Sequence, residues 1–320
     1  MSGDTVHPAS VTLELDSIGQ AAWERLFDAI PDSVLEQSWT YGEAVRLAAG
    51  RSVTRGLIRS GDAPVGLVQV FTHRFFGCVT IPEILRGPVF LPEASEDEKR
   101  AALMLVRKQW QRGILQFPRW MPEVPDMPEA HSLLQGLGVR QVVTGYPTVL
   151  VDLTSSTVQM RAGLDGKWRN ALSQAEKAGL KVKSARGGKA VEQAVRQYDS
   201  MRRKRRFSGP SGATATAFHQ LVRRQRDLLA VTVSRGSDVL SGALFLGHGQ
   251  TATYYMGWTA KAGRAVNSQN LALWRGMLKL AEDGFTSLDM GGIDTWREPG
   301  IARFKIGTGG RVHMTAGTWM

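Results

Sequence analysis

Residues 230–259, "AVTVSRGSDVLSGALFLGHGQTATYYMGWT", constrain the fold more than any other stretch of the chain. Runs rich in β-branched and aromatic residues are interrupted by turn signals at Gly236-Ser237-Asp238 and Gly247-His248-Gly249, which predicts three strands in succession. The next segment, "NSQNLALWRGMLKLAEDG", has Leu271, Trp274, Leu278 and Ala281 on one helical face and Leu273, Met277 and Leu280 on another, with Asn267 or Ser268 as the cap. A helix apolar on nearly all sides is a buried helix. "FTSLDM" then reads as a further strand.

The first half repeats this order with little identity. "VTRGLIRS" and "APVGLVQVFTH" flank Gly61-Asp62 as a hairpin, "FFGCVTIPEILRGPVFL" continues as strand and loop, and "SEDEKRAALMLVRKQWQRG" is a helix with Ser95 and Glu98 as a capping box and Gly113 at its end. Two helices precede them, "AAWERLFDAI" and "WTYGEAVRLAAG". A shared order of elements suggests two copies of one unit, hence two similar α/β domains. Between them "FPRWMPEVPDMPEA", with four prolines, predicts a surface loop, and "GYPTVLVDL" a strand. "TVQMRAGLDGKWRNALSQAEKAG" predicts one helix with Leu164, Trp168, Ala171, Leu172 and Ala175 as its apolar stripe and Gly179 as terminator. "AVEQAVRQYDSMRRKRRF" and "AFHQLVRRQRDLLA" predict two more, joined by the loop "SGPSGATAT".

At 320 residues either one large domain or two ordinary ones can bury a core. The single cysteine, Cys78, excludes an intramolecular disulfide and points to a reducing compartment; in its strand-like setting it is expected to be a buried structural thiol. No secretory leader is evident in "MSGDTVHPAS" and no apolar run reaches a bilayer's span, so a cytoplasmic location is expected. The formal charge is +11, and residues 161–206 hold fourteen Lys or Arg against four acids, a net of +10. Cations at a helix end complement its dipole, but a run of five in "MRRKRRF" exceeds that need and predicts contact with a polyanion.

Several familiar motifs fail on context. "GHGQTA" fits a dinucleotide fingerprint but lies between two strands, and no P-loop, G-x-S-x-G elbow or metal-spaced histidine set is present. No metal is expected. The glycine-rich end, "DMGGIDTWREPGIARFKIGTGG", marks tight turns or a close backbone approach to a ligand.

Together "GKWRNALSQAEKAGLKV", "YYMGWTAKAGRAVNSQNLALW" and "LDMGGIDTWREPGIARFKIGTGG" resemble the FemAB family of non-ribosomal aminoacyl and peptidyl transferases, with looser agreement at "QSWTYGEAVRLAAG" and "LRGPVFLP". The resemblance implies an α/β (α+β) fold of two tandem acetyltransferase-like (GNAT) domains, each a mixed sheet flanked by helices, over 1–148 and 149–320, with the final strand, 311–320, packing back on the first. It implies transfer of an amino acid from aminoacyl-tRNA, as co-substrate and with no other cofactor, to the amine of a peptidoglycan precursor carrying nucleotide or lipid diphosphate, with peripheral membrane contact.

Phe304 and Lys305 match the family's Phe-Lys pair, and Lys305 is the implied cation for the charge that develops on the ester carbonyl. Asp289 and Asp294 are its candidate helpers. Arg46, Arg205, Arg206, Tyr254 and Tyr255 are implied acceptor ligands, and Lys167, Arg169 and Trp258 belong to the same matching segments as substrate-binding candidates. The sequence departs from the family in lacking a long paired-helix arm and an Asp after Gly87-Pro88. Two other classes stay open: an acyl-CoA-dependent N-acyltransferase, whose loop would be "TAKAGRAVNS", and a non-catalytic nucleic-acid-binding protein.

Overall fold

A computed structural model describes residues 11–205 and 209–320. The chain divides into two compact units: Met1–Gly42, Gly50–Gly145 and Thr315–Met320 form the first, Glu43–Ala49 and Tyr146–Met314 the second. The last six residues thus group with the first unit, whereas 311–314 group with the second.

The first unit runs β1 (Val11–Leu15), α1 (Gln20–Phe27), α2 (Trp39–Ala49, whose end groups with the second unit), β2 (Ser52–Ser60), β3 (Ala63–Phe75), β4 (Val79–Leu85), β5 (Val89–Phe90), α3 (Glu96–Gln109), β6 (Arg119–Met121), α4 (Pro128–Gly136) and β7 (Gln141–Val143). The second runs β8 (Pro147–Asp152), α5 (Thr157–Gly163), α6 (Gly166–Lys177), β9 (Lys181–Ala185), α7 (Gly188–Arg205), α8 (Gly212–Leu221), β10 (Leu228–Arg235), β11 (Asp238–His248), β12 (Thr251–Thr259), α9 (Lys261–Ala265), α10 (Ser268–Glu282), β13 (Ser287–Gly292), α11 (Pro299–Ile306) and β14 (Arg311–Met314); β15 (Thr318–Trp319) returns to the first.

One sheet has the order β1-β2-β3-β4-β6-β15-β7, with β5 on β3; the other has β14-β8-β13-β12-β11-β10-β9. Both contain the same device. Three successive antiparallel strands, β2-β3-β4 or β10-β11-β12, are followed by a helix and then by a strand parallel to the third, β6 beside β4 or β13 beside β12. A mixed α/β architecture with a repeated unit is therefore present, as the element order predicts. The crossover helix α10 buries Leu271, Leu273, Trp274, Met277 and Leu280, which accounts for its lack of a polar face. Gly61 and Asp62 close the β2–β3 hairpin with Ser60 opposite Ala63, and Ser95 and Glu98 cap α3 reciprocally.

Six local readings need correction. The single helix expected over 157–179 is two, because Leu164 is extended and the Asp165 carboxylate caps a new start by accepting from Lys167 N at 2.9 Å and Trp168 N at 3.3 Å. "SGPSGATAT" is helical from Gly212, since Ser211 caps Thr214 N, and Leu228, Leu229 and Ala230 at the end of "AFHQLVRRQRDLLA" belong to β10, where a wholly buried run outweighs the helical pattern. The helix over α3 stops at Gln109, before Gly113. The proline-rich loop holds β6 between Pro118 and Pro122, and Pro128 opens α4. Cys78 is exposed at the β3–β4 turn and is not a core thiol.

Candidate active site

In the second unit β12 and β13 pair only at Thr251–Ser287, Ala252–Leu288 and Thr253–Asp289. Beyond Asp289 their ladder ends, although β12 continues to Thr259 and β13 to Gly292. β12 is also irregular here: the register with β11 shifts between Leu244 and Phe245, so Tyr255 has no opposite number. Two diverging strands leave backbone groups without ladder partners, which is where an acyl group can be held by the main chain.

β13 bulges at Gly291, whose φ of 68° is left-handed and strained for any side chain, before Gly292 pairs again with Thr148 of β8. The Asp294 carboxylate then accepts from Trp296 N at 3.0 Å and Arg297 N at 2.7 Å, and Pro299 opens α11. The stretch read from sequence as glycine turns around Phe304 and Lys305 therefore contains a helix. Phe304 rests on Trp168 of α6 with ring centroids 5.9 Å apart, and the Trp168 indole donates to the Phe304 carbonyl at 3.1 Å. After α11 the chain passes α5 so closely that a Cβ on Gly309 would lie 2.1 Å from the Gly163 carbonyl oxygen.

That frame returns Lys305 to the point of strand divergence. Its half-buried ammonium donates to the Gly292 carbonyl at 2.7 Å, and a Cβ on Gly291 would lie 3.6 Å from Nζ and 3.8 Å from the Tyr254 carbonyl oxygen. Burial pulls the Lys305 pKa down to about 8, and the Asp289 carboxylate opposes that shift. The group still carries its charge at neutral pH. Asp289 is buried; its Oδ1 accepts from the Thr148 hydroxyl and from Gly291 N, and so fixes the turn that leads to Lys305.

The remaining candidates are dispersed. Asp294 is exposed and serves its turn. The Tyr254 ring packs 5.7 Å from Phe245, its hydroxyl receives a hydrogen bond from Gln269 Nε2 at 2.9 Å, and burial pushes its pKa up to about 12. Tyr255 is buried and acts electrostatically on Tyr198 of α7, whose own pKa is raised mainly by burial. Trp258 is buried against Gly242 with no hydrogen-bond partner for its indole nitrogen. Lys167 is exposed, and Arg169 donates to the Ala162 carbonyl at 2.9 Å, both in the first turn of α6. Arg46 is exposed and paired with Glu43 at 2.7 Å, and Arg205 is the exposed last residue of α7. Arg206 lies outside the described residues. Sequence reasoning missed Thr148, Tyr146 beside Gly292, and Gln269, which carry no local motif.

Residues 160–305 match the Acetyltransferase (GNAT) domain family, so the second unit carries a domain of the acyltransferase class. The crystal structure of FemX aligns over 96% of both chains with a TM-score of 0.79 at 16% identity. The chain has the FemX fold. A tandem GNAT protein of the clavulanic acid biosynthesis pathway also aligns, with a TM-score of 0.54 and 13% identity over 96% of this chain and 98% of that one. The C-terminal domain of an Agrobacterium fabrum protein described as a lysylphosphatidylglycerol synthetase gives 0.55 and 15% over 94% and 92%. No curated protein matches the sequence. Among the described residues of this FemX fold no helix is long and apolar enough to cross a membrane.

Proposed function

We propose that the protein is an aminoacyltransferase that moves an amino acid from aminoacyl-tRNA to the amine of a peptidoglycan precursor. The observation that carries this reading is the Lys305 ammonium, oriented by the Gly292 carbonyl where β12 and β13 part. As the acceptor amine attacks the ester carbonyl carbon, a C–N bond forms and charge collects on the carbonyl oxygen, where Lys305 stabilises it. Collapse breaks the C–O ester bond, and the ribose hydroxyl departs with the proton the amine gives up. Burial strengthens Lys305 electrostatically without discharging it, because its pKa stays above neutrality.

The fold likeness to FemX and the basic segment 161–206 support a tRNA donor over a small one. Within that segment Arg203, Lys204 and Arg205 on α7 are exposed, and an Arg guanidinium suits phosphate. A second reading, acyl transfer from a CoA thioester to an amine, is favoured by the acetyltransferase domain match and uses the same Lys305 chemistry.

The deciding experiment follows label from mixed aminoacyl-tRNAs into amine acceptors of a bacterial extract, with wild type and Lys305→Ala, and free thiol from acyl-CoA in parallel. Transfer that falls by a factor on the order of 10²–10³ in the variant supports the proposal. Thiol release without tRNA-dependent transfer supports the CoA reading instead.

A further inference from the structure

The β3–β4 hairpin of the first unit ends in a tip that the fold itself does not explain. Phe75 pairs with Val79, so Phe76, Gly77 and Cys78 form the turn, with Phe76 at φ 50° and Gly77 at φ 73°. Such turns favour Asn-Gly, and a bulky residue in the left-handed region is an outlier. Yet Phe76 is 97% exposed and packs nothing into the core.

A second turn lies alongside. Gly113 N donates to the Gln116 carbonyl at 3.0 Å, and this turn is tied to β4 by Thr80 N to the Leu115 carbonyl at 2.8 Å and Phe117 N to the Thr80 carbonyl at 3.0 Å. It presents Ile114, 95% exposed, next to Leu115 at 48%, as the hairpin presents Phe75 at 45%. Four large apolar side chains from two neighbouring turns thus face solvent together.

The charges around them have one sign. Residues 63–82 and 99–122 contain no Asp or Glu. Arg74 on β3, Lys108 in the last turn of α3 and Arg112 before the second turn are all exposed; Arg112 lies over the Phe117 ring, and among the described residues no carboxylate pairs with any of the three. Glu83, the next acid along β4, is already bound by Arg51 at 2.5 Å and Arg119 at 3.1 Å.

We propose that this end of the first unit docks on an anionic phospholipid surface, with Phe76 and Ile114 entering the interface and Arg74, Lys108 and Arg112 meeting lipid phosphates. Apolar tips ringed by unpaired cations match a bilayer whose headgroups are negative and whose interior begins a few ångströms below them. A protein partner would need acids facing each cation in register; a lipid surface supplies charge without register. The proposal is independent of the chemistry at Lys305, because docking is read without turnover.

The sole cysteine, Cys78, sits in the tip and accepts an environment-sensitive fluorophore in the wild-type chain. Vesicles of phosphatidylcholine with about one third phosphatidylglycerol, a fraction chosen to give a clearly negative surface, are expected to shift its emission to the blue and to sediment the protein, less so as salt rises. Pure phosphatidylcholine is expected to do neither. Phe76→Asn with Ile114→Asn is expected to weaken binding about tenfold or more, while the unfolding midpoint holds or rises because Asn suits the left-handed turn.

Unchanged emission on anionic vesicles, equal binding to neutral ones, or undiminished binding by the folded double variant would each overturn the proposal. Should the double variant not fold, the labelled wild-type chain decides alone. Wild type that ignores all vesicles would assign the patch to a protein contact.

Discussion

Replacing Lys305 by methionine removes the ammonium and leaves an unbranched, uncharged side chain one atom shorter, with a sulfur in place of one methylene. The folded pKa of about 8 lies below the ordinary 10.5, with burial as the main cause. Between those two values the unfolded chain therefore holds more protons than the folded one, so the stability of the wild type climbs with pH across that window and is flat below it. A displacement of that size is worth a ceiling of about 3 kcal/mol, reduced by whatever solvent reaches the half-buried amine. Below pH 8 the wild type bears this penalty in full, and Lys305→Met does not. The stability of the variant relative to the wild type is expected to be greatest at and below pH 8 and to fall steadily from pH 8 to 10.5. Urea unfolding of both proteins at half-unit steps measures the difference, in which titrations not coupled to Lys305 cancel. A difference that does not change with pH would refute the claim that Lys305 is held charged against desolvation.

Gly309→Ala brings a methyl 2.1 Å from the Gly163 carbonyl at a φ of 79°, and is expected to cost about 2 kcal/mol or more in urea unfolding. Trp168→Phe removes the hydrogen bond to the Phe304 carbonyl; a loss of about 1 kcal/mol is expected, with kcat falling more than KM changes, because the helix carrying Lys305 loses an anchor. Glu123→Ala strips the buried Arg86 of a two-pronged partner, at 2.8 and 3.0 Å, and is expected to cost about 3–5 kcal/mol, which thermal unfolding reads directly.

Local chemistry made much of the fold legible. The Gly61-Asp62 turn sets the β2–β3 register, Ser95 and Glu98 start α3 where their spacing says, and the all-round apolar pattern of α10 matches its place as a crossover helix. These features depend on residues within a few positions of one another, which is the range over which turn preference, capping and periodicity act. Phe304 and Lys305 were visible only as a resemblance, and their helix was hidden behind glycines that suggest turns.

By itself, then, the sequence determined two α/β units, the caps and hairpins within them, and the concentration of positive charge in 161–206. Tertiary structure alone decided that Trp168 meets Phe304 across 136 positions, that Asp289 fixes the turn by way of Thr148, and that Lys305 ends half-buried against a carbonyl where two strands diverge. It also decided that Cys78 and Phe76 face water in a strand-like stretch that reads as core. Burial and close approach between distant segments set a group's hydration and partners, and no local pattern encodes them.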